Sequence, residues 1–346
     1  MRMATKDGFT NPRYGKIMYG KSMRNVIVGI GSALVDILAH ETEAFLCKSG
    51  AVKGGMTLVD YAIIESIVSD LKSSPSVVPG GSACNTIIGV AKLGGASRFV
   101  GKRGAEPMGA FFEASLVENG VEPHLLQSPS CSTGRVLSII TPDAQRSMLT
   151  YLGASSEILP EEIDENCFKD AAVVHIEGYL LFNPALMLQS MVLAKKSSAQ
   201  ISLDLASFTV VESNKALLDR IVDEFVDILI ANEDEARAFT GHTDERRMIE
   251  SLSSRAEIAV LKIGSRGSCI SQHGNIFMVE PVGDGRAVDT TGAGDLWASG
   301  FLFGLVNGYS LEKCGKLASA CGYEVCQVVG ASIPHDGWER IRKLLD

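Results

Sequence analysis

Apolar residues fall in two rhythms along this chain. Short, nearly continuous runs rich in Val and Ile occur at NVIVGIGS (25–32), AAVVHIEG (171–178), QISLDLA (200–206), VDILIAN (226–232) and EIAVLKIG (257–264). Runs of that length and composition read as strands buried on both faces. Between them, apolar positions recur every three or four residues in YAIIESIVSDLKS (61–73), PALMLQSMVLAKK (184–196) and NKALLDRIVDEF (214–225). That spacing is the stripe of an amphipathic helix. Buried strands alternating with helices predict an α/β fold with a mainly parallel, doubly covered sheet.

Two regions break the rhythm. Residues 33–59 and 131–154 carry short alternating segments, ALVDILAH, MTLVD, RVLSIIT and SMLTYLGA. Alternation leaves each strand one face free to cover something, and the two regions read as a small β-lid inserted into the larger body. Residues 1–24 are polar and basic without an apolar signal core, and are expected to be a flexible leader. No internal repeat is visible, and no linker divides residues 25–346 into independent domains.

Composition narrows the class. Of 346 residues, 46% are hydrophobic and 21% charged, enough apolar material for a large core. The net charge of −9 gives no overall attraction to nucleic acid or anionic membranes. Cysteines at 47, 84, 131, 167, 269, 314, 321 and 326 are scattered without a CxxC pair, so buried free thiols are expected rather than disulfides or a zinc site. No apolar run reaches the roughly 18 residues of a membrane span, and a cytoplasmic protein is expected.

Candidate chemistry lies in DTTGAGDLWASGFL (289–302). Glycines at a helix start each cost about 0.5–1 kcal/mol of backbone entropy relative to alanine. One reading is a tight turn with a capping aspartate. The other is an anion cradle, in which the bare amides of Gly292, Ala293 and Gly294, aided by the helix dipole, approach phosphate oxygens. Asp295, kept ionised by that dipole, then accepts a proton from an attacking hydroxyl. A Walker loop is absent, because GASRFVGKRG (95–104) has the wrong spacing and Arg103 where Ser or Thr is required. GIGSAL (29–34) lacks the third glycine of a dinucleotide fingerprint.

A second glycine pair opens PGGSACNTIIGVAKLGG (79–95). Gly80 and Gly81 let a polyhydroxyl ring lie close, and the Asn85 amide can donate and accept; a plain helix start with two breakers is the other reading. GGSACN with Gly94 and Gly104, followed about 200 residues later by DTTGAGDLWASGFL, resembles the two signatures of the ribokinase-like (pfkB) carbohydrate and nucleoside kinases. Ile87 departs from the first signature, where a small residue is usual.

The resemblance covers residues 25–346. It implies a ribokinase-like fold with a lid, and transfer of phosphate from ATP with Mg2+ to a sugar-type hydroxyl. It makes Asp295 the base, Gly292–Gly294 the anion hole, and Gly80, Gly81, Asn85 and Asp36 the acceptor-binding groups; a lid-surface charge is the other reading of Asp36. Asn232 and Glu235 in ANEDEA (231–236) resemble the family's pair that holds the magnesium water shell, although capping by Asn232 explains them equally. Gly264 and Gly267 in LKIGSRGS (261–268) resemble the nucleotide-binding turn, with Lys262 or Arg266 as a phosphate contact or a surface charge. Asp289 and Ser332 lie where some members bind a monovalent cation such as potassium.

GSALVDI, KGGMTLVD (53–60) and QRSMLTYLGA (145–154) are similar to segments of adenosine kinases, and Arg146 then stands near the transferring phosphate; a turn residue between two lid strands is its other reading. Met56, Leu58, Leu137, Ile139 and Leu149 make the lid apolar, which suits a flat purine. Adenosine is the expected acceptor, a free sugar such as ribose or fructose the alternative, and non-catalytic nucleoside binding a third reading. The partner is a small molecule, and the chain is expected to be a monomer or a dimer joined through the lid.

Overall fold

The computed structural model describes residues 24–143 and 145–345. The leader therefore lies outside the described residues apart from Arg24, whose guanidinium reaches the Ser197 carbonyl.

The larger sheet runs, edge to edge, Asn275–Val279, Ser268–Gln272, Ile258–Lys262, Ile228–Asn232, Gln200–Asp204, Ala171–Glu177, Val26–Ile30, Ser97–Gly104 and Glu122–Ser128. The strands from Ile258–Lys262 to Glu122–Ser128 are all parallel, and a hairpin adds the two antiparallel strands at one edge. Successive residues of each central strand feed opposite cores. Val28, Val174, Leu229 and Ala259 pack into one, with helices Pro184–Lys196 and Lys215–Phe225. Ile27, Val173, Ile228 and Ile258 pack into the other, with helices Ser82–Lys92, Ala293–Val306 and Leu311–Val325. Two cores explain the lack of alternation in these strands: both faces are dry.

Ser97–Gly104, weighed in the sequence only as a phosphate loop, is a strand. Its basic residues hold structure together: Arg98 reaches Glu122 and the Lys169 carbonyl, and Lys102 reaches Glu162 and the Glu157 carbonyl.

The smaller sheet runs Met56–Leu58, Arg146–Tyr151, Gly134–Ile140, Leu34–His40 and Ser76–Gly80. The last strand lies outside the two segments read as lid, and Pro79 is tolerated in it because it is an edge strand. Helices Glu43–Ser49 and Tyr61–Ser69 cover one face, sealing Ile37, Leu46, Ile64, Leu137, Ile139 and Leu149 in a core of their own. Of the five apolar lid residues, about half of which were expected to face away from a ligand, Leu137, Ile139 and Leu149 face the helices. Strand periodicity puts Met56 and Leu58 on the opposite face, with Leu34, Val136 and Met148.

Ile87 finds its room in the main sheet. A Cβ on Gly29 would lie 2.3 Å from Ile87 Cγ1, so the absent side chain at 29 accommodates the large one at 87. The cysteines are all free thiols. Among the described residues no helix is long and apolar enough to cross a membrane.

Candidate active site

Four adjacent parallel strands end on polar residues: Glu177, Asp204, Asn232 and Lys262. The carboxyl edge of a parallel sheet is where α/β proteins gather ligands, and two adjoining cavities open there. The larger, about 590 Å³, is bordered by Gly264, Gly267, Val282, Trp297, Ser319 and Tyr323. The smaller, about 310 Å³, lies under the lid and is bordered by Asp36, Gly81, Asn85, Arg146, Tyr179 and Asp295. Asn232, Lys262, Thr290, Ala293 and Gly294 border both.

The glycine turn is thus the shared wall. Gly292 caps helix Ala293–Val306 at φ +71, a left-handed conformation that suits glycine. The Ala293 amide folds back on the Thr290 carbonyl (3.2 Å) and that of Leu296 on Gly292 (2.8 Å). The amides of Gly292, Gly294 and Asp295 have no acceptor among the described residues. They form an open cradle at a helix N-terminus, where the dipole favours an anion.

Asp295 faces the smaller cavity. Ser82 Oγ donates to its Oδ1 (2.7 Å) and Asn85 Nδ2 to its Oδ2 (2.9 Å). The dipole was expected to keep this carboxyl readily ionised. Burial instead raises its pKa above the ordinary 3.8; the Asn85 and Ser82 donors oppose the rise, and the charge of Asp204 adds to it. A carboxylate with a raised pKa takes up a proton more readily than an ordinary aspartate, which is what general-base chemistry asks of such a group.

Lys262 and Arg266 are placed differently. The Lys262 side chain is 13% exposed, its Nζ 2.7 Å from Asp204 Oδ2 and 3.0 Å from where a Cβ on Gly294 would stand. Burial works against the ammonium, yet Asp204 and Glu235 carry its pKa above 10.5. Arg266 is the surface charge: it is 56% exposed and paired with Glu233 and Glu245. Gly267, at φ +94, has no space for a Cβ, which would meet the Val279 carbonyl at 2.1 Å.

Asn232 and Glu235 form the cap that one of their readings expected. The Asn232 amide donates to Glu235 Oε2 (2.8 Å) and the Glu235 amide to Asn232 Oδ1 (2.9 Å), a reciprocal cap, and both residues also border the smaller cavity. Burial and the Asp204 charge raise the Glu235 carboxyl.

Asp36 is 8% exposed, and its carboxylate takes no hydrogen bond from the described residues. Burial raises it to about 6, opposed by Arg146. It borders the cavity, so it is not a surface charge. Gly80 does not border the cavity. A Cβ there would sit 2.4 Å from the Asp36 carboxyl carbon, so Gly80 makes room for that side chain, and Gly81 alone of the pair faces the ligand space.

Arg146 points into the same space. Its Nη2 touches Met148 Sδ (2.8 Å), and its Nη1 is buried without a partner among the described residues. Asp289 accepts from the Thr291 amide (2.9 Å), the Thr291 hydroxyl (2.7 Å) and the Gly330 amide (2.9 Å), which ties two loops together. Ser332 is exposed. Among the described residues no cluster of three His, Cys, Asp or Glu side chains forms a cage for a metal.

Residues 46–337 match the profile of the pfkB family carbohydrate kinases. The chain belongs to that family. Adenosine kinase of Saccharomyces cerevisiae is 28% identical over 333 residues, 90% of this chain and 97% of that protein. Adenosine kinase from Sinorhizobium meliloti superposes with TM-score 0.84 at 30% identity, covering 93% of this chain and 100% of that one. A probable sugar kinase from Rhizobium etli CFN 42 superposes with TM-score 0.85, also at 30% identity, covering 92% of this chain and 98% of that one. This pfkB protein is therefore a kinase for a sugar or nucleoside, and its ribokinase-like fold is shared with both kinds.

Sequence reasoning missed Ser82, Glu177, Tyr179 and Asp204. A signal existed for two of them: Glu177 and Asp204 each end a buried apolar strand, as Asn232 and Lys262 do.

Proposed function

We propose that this pfkB kinase transfers the γ-phosphoryl group of ATP to the 5′-hydroxyl of a nucleoside, with adenosine as the acceptor. The observation that carries the reading is the polarity of the smaller cavity. Its apolar lining, Leu34, Met56, Leu58, Val136, Met148 and Leu152, comes from the lid strands and their ends, and its polar lining is shared between the lid, which brings Asp36, Arg146 and Thr150, and the body, which brings Asn85 and Asp295. A nucleoside matches both parts, with its base under the apolar hood and its ribose at the polar side. A free sugar carries hydroxyls all round, and those turned toward Met and Leu lose their water without a partner.

In this reading the unpartnered Asp36 carboxylate accepts from ribose hydroxyls. Asp295 takes the proton of the 5′-hydroxyl late in transfer, where positioning counts for more than basicity. The free amides of the glycine turn face the migrating phosphoryl group, and Lys262 and Arg146 bring positive charge from the body and the lid. The larger cavity holds ATP between Gly264, Gly267 and the rings of Trp297 and Tyr323. Asn232 and Glu235, both bordering the smaller cavity, would suit a magnesium ion that keeps most of its waters. When bound, that ion neutralises phosphate charge.

Turnover measured across adenosine, other nucleosides, ribose and fructose tests the assignment. Phosphorylation of adenosine is expected. Phosphorylation of a free sugar with none of adenosine would overturn it in favour of the sugar-kinase reading, which the Rhizobium etli relative supports.

A further inference from the structure

One buried carboxylate at the site has no part in that scheme. Glu177 is 1% exposed and ends the strand Ala171–Glu177. Its Oε1 accepts from the Ser32 amide (2.8 Å) and its Oε2 from the Ala83 amide (2.9 Å). These two amides stand where the chain crosses between body and lid. Ser32 leads from the body strand Val26–Ile30 into the lid strand Leu34–His40. Ala83 follows the lid strand Ser76–Gly80, in the first turn of helix Ser82–Lys92.

The surroundings are shaped to this carboxylate. A Cβ on Gly31 would lie 2.4 Å from Glu177 Cδ, and a Cβ on Gly81 would lie 2.3 Å from the Ser32 carbonyl oxygen. The two crossings therefore touch each other and the acid between them. A carboxylate shared by two amides, one of them an otherwise unsatisfied helix-start donor, makes strong charge-assisted bonds.

The helix it holds carries both donors to the base. Ser82 and Asn85 bond the Asp295 carboxylate, and Thr86 Oγ1 donates to the Asp295 carbonyl (3.1 Å). We propose that Glu177 is a positioning residue, which pins the lid's two crossings to the body and so seats Ser82 and Asn85 on Asp295. It borders the smaller cavity, but a backbone amide occupies each of its oxygens, and through these amides it reaches the reaction. The inference rests on the reading of Asp295 as the base.

The test is a kinetic cycle. Glu177→Gln keeps the size and one acceptor but turns an NH2 group toward the other amide. Its turnover is expected to fall about tenfold to a hundredfold, the scale of a lost bond to a charged group. The KM for ATP is expected to stay within about twofold, since the larger cavity is untouched. In a Ser82→Ala/Asn85→Ala background the same substitution is expected to cost much less, because its route to Asp295 is already cut.

A loss of melting temperature with unchanged turnover, or an equal loss in both backgrounds, overturns the proposal. Should Glu177→Gln not fold, Glu177→Asp serves instead: it keeps the charge but is too short to span both amides, and the same cycle is read. Asp295→Asn separates the two readings. If it retains turnover, the base assignment fails. If it loses turnover while Glu177→Gln matches the parent in both backgrounds, only the role of Glu177 fails.

Discussion

The two sheets of this kinase are built from similar residues and finished differently. In the body, successive strand residues are buried alike on both faces: Ile27 and Val28, which feed opposite cores, are 1% and 0% exposed. In the lid, Leu137 and Ile139 are equally buried against the helices, whereas Met56 and Leu58 on the other face are 41% and 52% exposed. One sheet has all its partners within the chain. The other turns one face to the smaller cavity. Apolar surface held open in this way costs roughly 25 cal/mol per Å² until it is covered, and covering it on acceptor binding can drive the lid down and exclude water from the phosphates. Under the proposed function, chemistry belongs to the body, where Asp295, Lys262 and the glycine turn sit, and acceptor choice to the lid.

That division can be broken most sharply at Asp295. Asp295→Asn is expected to lower turnover at least about a hundredfold while acceptor binding, measured by calorimetry, is roughly retained. Unchanged turnover would remove the body's claim to the chemistry.

Leu149→Ala empties part of the lid's private core, and is expected to weaken that core by about 2–4 kcal/mol. Hydrogen exchange should then speed up in the strands Gly134–Ile140 and Arg146–Tyr151 but not in Ile228–Asn232. Equal acceleration in the body strand would mean that the sheets do not open separately.

Leu58→Gln changes the open face without touching that core. The acceptor KM is expected to rise about threefold to tenfold, the scale of an apolar contact in a pocket, with the ATP KM and melting temperature unchanged. A rise confined to ATP would reverse the assignment of the two cavities.

The smallest expected effect concerns pH. Asp36 and Glu177 have carboxyls raised by burial to about 6, from ordinary values of 3.8 and 4.5. Their folded-state values lie above the unfolded ones, so the native state holds these protons more tightly. Their contribution to stability is fully present below the unfolded value and is lost as pH rises through about 6. Asp36→Asn removes one such group, so the drop in melting temperature from pH 5 to pH 8 should be smaller than in the parent. An identical drop would show that Asp36 does not titrate abnormally.

The sequence was legible where a single segment carries its whole reason. Continuous Val- and Ile-rich runs announce strands with two dry faces, and five parallel strands were read that way; Ser97–Gly104, interrupted by Arg98, Lys102 and Arg103, was not. Edge elements were not: Glu122–Ser128 and Asn275–Val279 are only part-buried, and Ser76–Gly80 hides behind a proline. Within the site, the turn 292–295 spoke for itself because glycines at a helix start demand a reason. Glu177 and Asp204 did not, since a lone carboxylate after an apolar run carries no local mark of its partners. The side of the lid taken by Leu137 and Leu149 was equally invisible, because alternation shows that two faces exist and not which one the helices will cover.

The sequence by itself determined the sheet-and-helix order, the family signatures and the bare-backbone turn with its aspartate, because strand burial, helix stripes and glycine conformations are set within a few residues. Only the tertiary structure decided that Lys262 pairs with Asp204 at the wall between two cavities, that Gly80 serves Asp36, and that Glu177 joins Ser32 to Ala83. Those relations link residues far apart in the chain. They exist only where packing brings strand ends and crossings together and burial removes the water that would otherwise satisfy each group separately.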